Sequence, residues 1–161
     1  MRYLFLVVVI GAFLSMVSSC TPNRGCTEAT ADNFDLNADE DDGTCIPGRD
    51  KLIGNYRYTR TYTDVVSGGD SIDVGTFQAT EANTGHNAFN FFFDGSLLLQ
   101  GSISQNDILL ETHQVGLTSS YSGNGTWLEL DSVDAVLNVI YNSEFLPVPQ
   151  PYAYYCTKLP E

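Results

Sequence analysis

Basic residues are scarce in this chain of 161 residues, in which seven Lys and Arg face 20 Asp and Glu and the formal net charge is −13 at pH 7. Nucleic-acid binding depends on Lys and Arg side chains that contact phosphates and release counterions. The sequence therefore predicts no nucleic-acid partner. The same shortage argues against attraction of the protein surface to anionic lipid headgroups.

Catalytic motifs are also missing, since the chain has neither a Gly-x-Ser-x-Gly motif nor a Gly-rich phosphate loop between a strand and a helix. The two histidines, His86 and His113, have no recognisable catalytic or metal-binding spacing. Glu111 and His113 are two residues apart and are expected on one face of a strand, where they can supply only part of a three-ligand zinc site. The sequence predicts a protein that is not an enzyme, with a hydrolase as the most distant alternative.

The first 20 residues have the layout of an export signal. Arg2 precedes an apolar stretch over residues 3–14, and small residues lead to Cys20. The stretch is shorter than the about 20 apolar residues that a transmembrane helix needs. An ordinary secretory signal over residues 1–19 is one interpretation of this layout.

The end of the signal, Val17-Ser18-Ser19-Cys20, resembles the lipobox of bacterial lipoproteins, whose cysteine is acylated and becomes the mature N-terminus. The resemblance implies that Cys20 carries acyl chains such as palmitate and that the membrane is a partner through them. Residues 21–24 contain no acidic residue, which by the same resemblance favours the outer membrane and leaves the leaflet open.

Residues 26–45 form an acidic segment, with seven carboxylates and no Lys or Arg between two cysteines. Cys26 and Cys45 bracket this compact stretch, so we expect a disulfide between them that contributes about 3 kcal/mol in the chain-entropy model. Cys156 is then left free, and its apolar surroundings in the sequence predict a small buried side chain.

The acidic segment, from Gly25-Cys26-Thr27 to Asp41-Asp42-Gly43-Thr44-Cys45, resembles a cysteine-bounded repeat of exported proteins in marine Bacteroidota. The resemblance implies a disulfide-closed turn module. Alternating oxygen side chains are typical of the start of calcium loops, although Glu40 and Ile46 stand where an EF-hand has Gly and its distal Glu. Calcium binding and a solvated acidic turn both stay open, and no other cofactor is expected. The candidate calcium ligands are Asp35, Asn37, Asp39 and Asp41.

Beyond a linker at Pro47-Gly48, residues 51–161 alternate between apolar and polar residues with the period of two that is typical of strands. Turns are expected at residues 67–70, at Asp94-Gly95 and at residues 104–107. The pattern predicts an all-β fold, a single antiparallel meander barrel of about eight strands, behind the signal-peptide helix and the acidic module. The expected strand segments are 56–62, 72–79, 89–93, 97–99, 108–110, 115–121, 126–130, 135–141 and 152–159.

The start of the barrel, Leu52-Ile53-Gly54-Asn55-Tyr56, resembles the opening of lipocalin-like domains, with Tyr56 in the place of their Trp. Together with Ser122-Gly123-Asn124-Gly125-Thr126 and Cys156-Thr157, it is also similar to a family of Bacteroidota lipoproteins. The resemblance covers most of residues 51–161 and implies a lipocalin-like barrel on a cell-envelope protein.

Two functions are compatible with such a barrel. One is a structural or interaction lipoprotein with a filled interior and an envelope protein as partner. The alternative is a binder of a small apolar ligand, because eight strands leave room either for side chains or for one small ligand. The candidate ligand-binding residues are Tyr56, Tyr58, Phe89, Phe91, Phe93 and Trp127.

Two tripeptides, Asp70-Ser71-Ile72 and Asp131-Ser132-Val133, are similar to the Asp-Ser/Thr-aliphatic O-glycosylation signal of Bacteroidota. The resemblance implies glycans on Ser71 and Ser132. Asp-Ser is also common in turns, so an unmodified turn remains the alternative.

Overall fold

A computed structural model describes residues 21–93, 97–128 and 133–160. The expected signal segment with Cys20, the Asp94-Gly95 turn and Ser132 lie outside the described residues. Two short strands come first, β1 (Arg24–Gly25) and β2 (Glu40–Asp41), followed by a 3₁₀ helix (Gly48–Leu52). The remaining strands are β3 (Gly54–Thr63), β4 (Asp70–Glu81), β5 (Ala88–Phe93), β6 (Leu97–Ser104), β7 (Asp107–Val115), β8 (Ser119–Trp127), β9 (Ala135–Ser143) and β10 (Gln150–Lys158).

Strands β3 to β10 form a closed antiparallel barrel in which each strand pairs with the next along the chain. The barrel closes where β10 pairs with β3, with Cys156 opposite Tyr58 and Tyr154 opposite Arg60. This architecture confirms the all-β class and the eight-stranded meander barrel predicted from the period-two pattern.

The inner face of β3 carries Tyr56, Tyr58, Arg60 and Tyr62, as the alternation predicts. Tyr56 stacks on Phe77 with ring centroids 4.6 Å apart. Burying one such side chain contributes roughly 1.5–3 kcal/mol, so the rings of the lower barrel supply much of its stability. The apolar core consists of Leu52, Tyr56, Tyr58, Phe77, Ala79, Phe89, Phe91, Phe93, Leu99, Ile103, Ile108, Leu110, Trp127, Ala135, Leu137, Val139, Tyr154 and Cys156.

Glycine in the barrel wall makes room for these large rings. A Cβ atom added at Gly75 would lie 2.4 Å from the hydroxyl oxygen of Tyr58, which faces it across the β3–β4 pair. The space that a side chain would fill at Gly75 is therefore occupied by the ring of Tyr58.

The N-terminal segment closes one end of the barrel, which we call the capped end. Leu52 of the 3₁₀ helix is 1% exposed, and its carbonyl oxygen accepts a 2.9 Å hydrogen bond from the Tyr56 hydroxyl. The Gly48 amide donates to Asn87 Oδ1 at 2.8 Å. The prediction of a linker at Pro47-Gly48 is therefore wrong at Gly48, because this residue begins a helix that packs into the barrel.

The acidic module packs against the same end. Asn87 Nδ2 donates to Thr30 Oγ1 at 2.7 Å, and Lys51 Nζ pairs with Asp32 Oδ1 at 2.6 Å. The Cys26–Cys45 disulfide closes the module, with an S–S length of 2.09 Å. Cys156 is a free, buried thiol. The structure thus confirms the predicted disulfide and the predicted state of Cys156.

Two predicted strand boundaries are wrong. The segment 115–121 is not one strand, because Gly116 has a φ of 74° in a turn that separates β7 from β8. The expected separate strand at 126–130 instead begins inside β8, which runs from Ser119 to Trp127. The glycines at 123 and 125 resemble a turn in sequence, but both pair in register with β9.

Candidate functional site at the end opposite the cap

We call the end opposite the cap the mouth. Three described connections lie there, β3–β4 (residues 64–69), β7–β8 (116–118) and β9–β10 (144–149), because alternate loops of a meander lie at the same end. The inward-facing side chains become polar and partly exposed towards this end. They form the mouth cluster, which consists of Arg60, Tyr62, Ser71, Asp73, His113, Ser119, Tyr121, Tyr141, Ser143 and Tyr152.

Arg60 lies at the centre of the mouth cluster. Its Nη2 pairs with Asp73 Oδ2 at 2.5 Å, and its Nη1 donates to the Tyr154 hydroxyl at 3.5 Å. The guanidinium carbon lies 4.9 Å from the ring centroid of Tyr152 and 5.5 Å from that of Tyr62, within cation–π range. Burial opposes the charge of Arg60, but the hydrogen bonds to Asp73 and Tyr154 outweigh it and keep the pKa of Arg60 above its ordinary value.

Tyrosine rings surround this arginine. Tyr62 and Tyr152 meet at 5.0 Å in an edge-to-face contact, and Tyr121 and Tyr141 at 4.7 Å. Burial raises the pKa of Tyr152 to about 12 and also raises the pKa of Tyr121. Because these phenols stay protonated at neutral pH, their hydroxyls both donate and accept hydrogen bonds.

Hydrogen bonds fix two parts of the mouth. The Tyr141 hydroxyl donates to Ser119 Oγ at 3.1 Å, and hydrogen bonds with Ser119 and Ser143 lower the pKa of Tyr141. Gln150 is 3% exposed, and its side chain accepts from the Val65 amide and donates to the Thr63 carbonyl, both at 2.9 Å. Gln150 thereby holds the β3–β4 loop against β10.

An aromatic floor separates the mouth from the lower barrel. The ring of Tyr154 lies 5.2 Å from that of Tyr58 and 5.4 Å from that of Phe93, and Tyr58 lies 5.6 Å from Phe93. These three side chains are 3–4% exposed, so the floor is closely packed.

All six predicted ligand-binding aromatics lie in this floor or below it, and they are 0–6% exposed. Phe89 and Phe91 stack with centroids 4.4 Å apart, and Phe91 lies 4.9 Å from Phe77. The structure brings the six together as a packed core, and an apolar ligand among them stays a prediction. Their exposed fractions are 1% for Tyr56, 4% for Tyr58, 0% for Phe89, 2% for Phe91, 4% for Phe93 and 6% for Trp127.

Three of the four candidate calcium ligands accept hydrogen bonds from backbone amides. Asp35 Oδ1 accepts from the Asn37 amide at 2.9 Å, and Asp41 Oδ1 accepts from the Gly43 amide at 3.0 Å. Asp39 Oδ2 accepts from the Asn23 amide at 3.3 Å. Within residues 21–93, 97–128 and 133–160, no group of three or more His, Cys, Asp and Glu side chains is placed to hold a metal ion. Calcium binding stays a prediction.

The predicted pairing of Glu111 and His113 on one strand face is wrong. A bulge lies between Leu110 and His113, so that His113 pairs opposite the inward-facing Tyr121 while Glu111 is exposed. A bulge adds one residue to its strand and breaks the alternation on which the prediction rests.

Ser71, one of the two predicted glycosylation sites, lies at the start of β4 opposite Tyr62. Residues opposite each other in an antiparallel pair share a face, so Ser71 faces the mouth. Its modification stays a prediction.

Exposed apolar side chains surround the mouth on three loops. Val66 in the β3–β4 loop is 70% exposed, Leu117 in the β7–β8 turn is fully exposed, and Phe145 in the β9–β10 loop is 81% exposed. These three side chains therefore lie on separate loops at the same end of the barrel.

Most of the mouth cluster is missing from the predicted site residues. One signal was available: Arg60 occupies an inner position in a strand that otherwise alternates tyrosines. The register of β3 against β4 places Asp73 directly opposite Arg60, which allows the two side chains to form an ion pair. The sequence does not specify that register.

Comparisons of the chain with protein-family models, with curated proteins and with solved structures found no match. Among the described residues, no helix is long and apolar enough to cross a membrane.

Proposed function

We propose that this protein is a binding protein whose mouth cluster holds a small polar ligand. The observation that carries the proposal is Arg60, which lies against the rings of Tyr62 and Tyr152 above a packed aromatic floor and remains 27% exposed in its side chain. Side chains fixed in this way are ready to bind without losing much conformational freedom. An apolar ligand fits less well, because it would have to separate the stacked rings below the floor.

The proposed cellular setting is the cell envelope, with the protein anchored in the outer membrane through acyl chains on Cys20. The sequence similarity of residues 17–20 to a lipobox supports this setting. The chain approaches the barrel at its capped end, where Thr30 and Asp32 contact Asn87 and Lys51. In this setting the mouth opens away from the anchor and is accessible to a soluble ligand. We propose a binding role without catalysis.

Two tyrosines of β10 provide a matched test. Tyr152 faces the mouth cluster, whereas Tyr155 lies on the outside of the same strand and is 45% exposed. Small molecules that co-purify with the native protein are identified by native mass spectrometry and then titrated into the variants. We expect Tyr152→Ala to abolish binding and Tyr155→Ala to preserve it. Equal retention by both variants would contradict a site in the mouth.

A second candidate function is that of an interaction lipoprotein with an envelope protein as partner. It is supported by the exposed apolar side chains on three loops around the mouth. Val66, Leu117 and Phe145 lie around the mouth. Because their side chains are exposed, we expect replacing them to change the stability of the protein little. We expect a variant with Ser at these three positions to lose cross-links to an envelope partner in intact cells. Leu109→Ser, at a 59% exposed position on the outer wall, is the control. Unchanged cross-linking in the triple variant would remove this candidate.

A further inference from the structure

We propose that the ligand of the mouth cluster is a neutral carbohydrate, bound through the Arg60–Asp73 pair and through the faces of the mouth tyrosines. This inference rests on the proposed function and adds the chemical class of the ligand.

The hydrogen-bonding groups around Arg60 suit a ligand rich in hydroxyl groups. A guanidinium has five N–H donors, and the described contacts of Arg60 use one each of Nη1 and Nη2. Its Nε is buried and has no hydrogen-bond partner within the part of the chain that the structure describes. The Asp73 carboxylate, which is 43% exposed, keeps acceptor capacity beside these donors. Adjacent donors and acceptors of this kind match neighbouring hydroxyl groups, each of which can both accept and donate.

The charge of the mouth favours a neutral ligand. Arg60 and Asp73 neutralise each other inside the mouth cluster, and the phenol of Tyr152 is protonated because burial raises its pKa to about 12. Asp64 and Glu144 lie in the surrounding loops and repel an anion, as does the overall charge of −13. A cation is disfavoured because the positive charge of Arg60 already lies against the rings of Tyr62 and Tyr152 and repels it.

The shape of the aromatic groups favours a ring-shaped ligand. Tyr62, Tyr121, Tyr141 and Tyr152 are partly exposed on the inner wall. Tyrosine combines an apolar ring face with a polar hydroxyl, which matches a pyranose that has a C–H face and a hydroxyl edge. A wholly apolar ligand would leave the Arg60–Asp73 pair desolvated without new hydrogen bonds, which is unfavourable. A fatty acid adds a carboxylate, which the negative charge of the protein repels.

The test compares three kinds of probe by titration calorimetry on the full chain. The neutral probes are maltotriose, cellotriose, xylotriose and mannotriose; the acidic sugar probe is trigalacturonate; and the amphipathic probe, an apolar chain with one carboxylate, is palmitate. We expect at least one neutral trisaccharide to bind, and trigalacturonate and palmitate to bind at least tenfold more weakly.

Two conservative variants link binding to the proposed groups. We expect Arg60→Lys to weaken binding of the neutral trisaccharide by tenfold or more, because an ammonium lacks the planar fork of the guanidinium. We expect Tyr152→Phe to weaken it only a few-fold, because the ring face remains. Tyr155→Ala serves as the control and should bind like the unmodified chain. Circular dichroism and the unfolding midpoint establish that each variant is folded.

The possible failures are distinguishable. If trigalacturonate or palmitate binds, depends on Tyr152 and exceeds the neutral probes, the carbohydrate class is overturned and the mouth remains a binding site. If a neutral trisaccharide binds but Arg60→Lys leaves its affinity unchanged, the proposed role of the Arg60–Asp73 pair is overturned. If no probe binds, the carbohydrate inference is overturned, and the proposed function then depends on the co-purification test alone.

Discussion

The two ends of the barrel each hold one arginine whose buried Nε lacks a hydrogen-bond partner among the described residues, yet the surroundings of the two differ. At the capped end, Arg49 donates to the Gly85 carbonyl at 2.9 Å and pairs with Glu81 at 3.2 Å. At the mouth, Arg60 pairs with one carboxylate and otherwise faces tyrosine rings. Arg49 connects the β4–β5 loop to the 3₁₀ helix, whereas the described contacts of Arg60 are with residues of the strands.

The comparison extends to what lies around each arginine. The capped end combines a helix, a disulfide-closed module and hydrogen bonds between segments far apart in the chain. The mouth combines partly exposed polar groups with bare apolar loop tips. Both ends hold an unsatisfied arginine Nε among the described residues, so the ends differ in the exposure of their other polar groups and in the segments that their hydrogen bonds join. Under the proposed function, the capped end and the core provide stability, and the mouth provides ligand binding.

The largest expected effect on stability comes from the core. Phe91 is 2% exposed and packs against Phe77 and Phe89, so Phe91→Ala leaves a cavity that its neighbours cannot fill. We expect a loss of about 3–5 kcal/mol in the free energy of unfolding, measured by urea denaturation. Tyr152→Ala at the mouth should cost clearly less. A larger loss for Tyr152→Ala would break the division between the two regions.

The disulfide of the acidic module ranks second. Replacing both Cys26 and Cys45 by Ser frees a loop with a sequence separation of 19. We expect a loss of about 3 kcal/mol in the free energy of unfolding. Amide hydrogen exchange should become faster in the module and at the capped end, while the mouth is unaffected. Cys156→Ala controls for the general effect of removing a thiol, and faster exchange at the mouth would contradict the comparison.

Gly75→Ala tests how closely the aromatic floor fits the barrel wall. The added methyl group meets the Tyr58 ring, which itself contacts Phe93 and Tyr154. We expect a loss of about 1–3 kcal/mol, because overpacking forces neighbouring side chains from their preferred positions. Gly68→Ala is not matched in backbone conformation, since its φ is 73°, so Ser71→Ala at the mouth is the better control. No change in stability for Gly75→Ala would show that the floor is loosely packed.

Alkaline pH should produce a graded loss of stability. Burial raises the pKa of Cys156 from 9.0 to about 12 in the folded chain. The unfolded chain therefore releases this proton at lower pH than the folded chain, so the contribution is fully present below pH 9 and is lost as the pH rises towards 12. We expect the unfolding free energy to fall over this interval, and to fall less steeply in Cys156→Ala. Identical slopes for the two proteins would contradict burial of the thiol.

Much of the fold could be predicted from the sequence, because alternation and turn residues are local signals. The alternation of Tyr56, Tyr58, Arg60 and Tyr62 gives the inner face of β3 correctly. Local signals also produced the errors. The predicted strand over 115–121 ran through Gly116, which is a turn residue in the structure. The bulge before His113 puts His113 and Glu111 on opposite faces of β7, where the alternation predicted one face.

The candidate site was less accessible to prediction. The alternating aromatic residues indicated an interior filled with aromatic rings. The mouth cluster, in contrast, consists of residues from β3, β4, β7, β8, β9 and β10, which come together only when the barrel closes. The pairing of Arg60 with Asp73 follows from register, and the approach of Tyr152 follows from barrel closure. Neither is a local property of the sequence.

The two buried arginine Nε–H groups allow the central claim to be tested in one spectrum. A ¹H–¹⁵N NMR spectrum of the arginine side chains, recorded while maltotriose, cellotriose, xylotriose and mannotriose are added in turn, reports on both ends of the barrel at once. The account predicts that the Arg60 signal shifts and exchanges more slowly with solvent, while the Arg49 signal stays in place. A shift of Arg49 with Arg60 unchanged would contradict it.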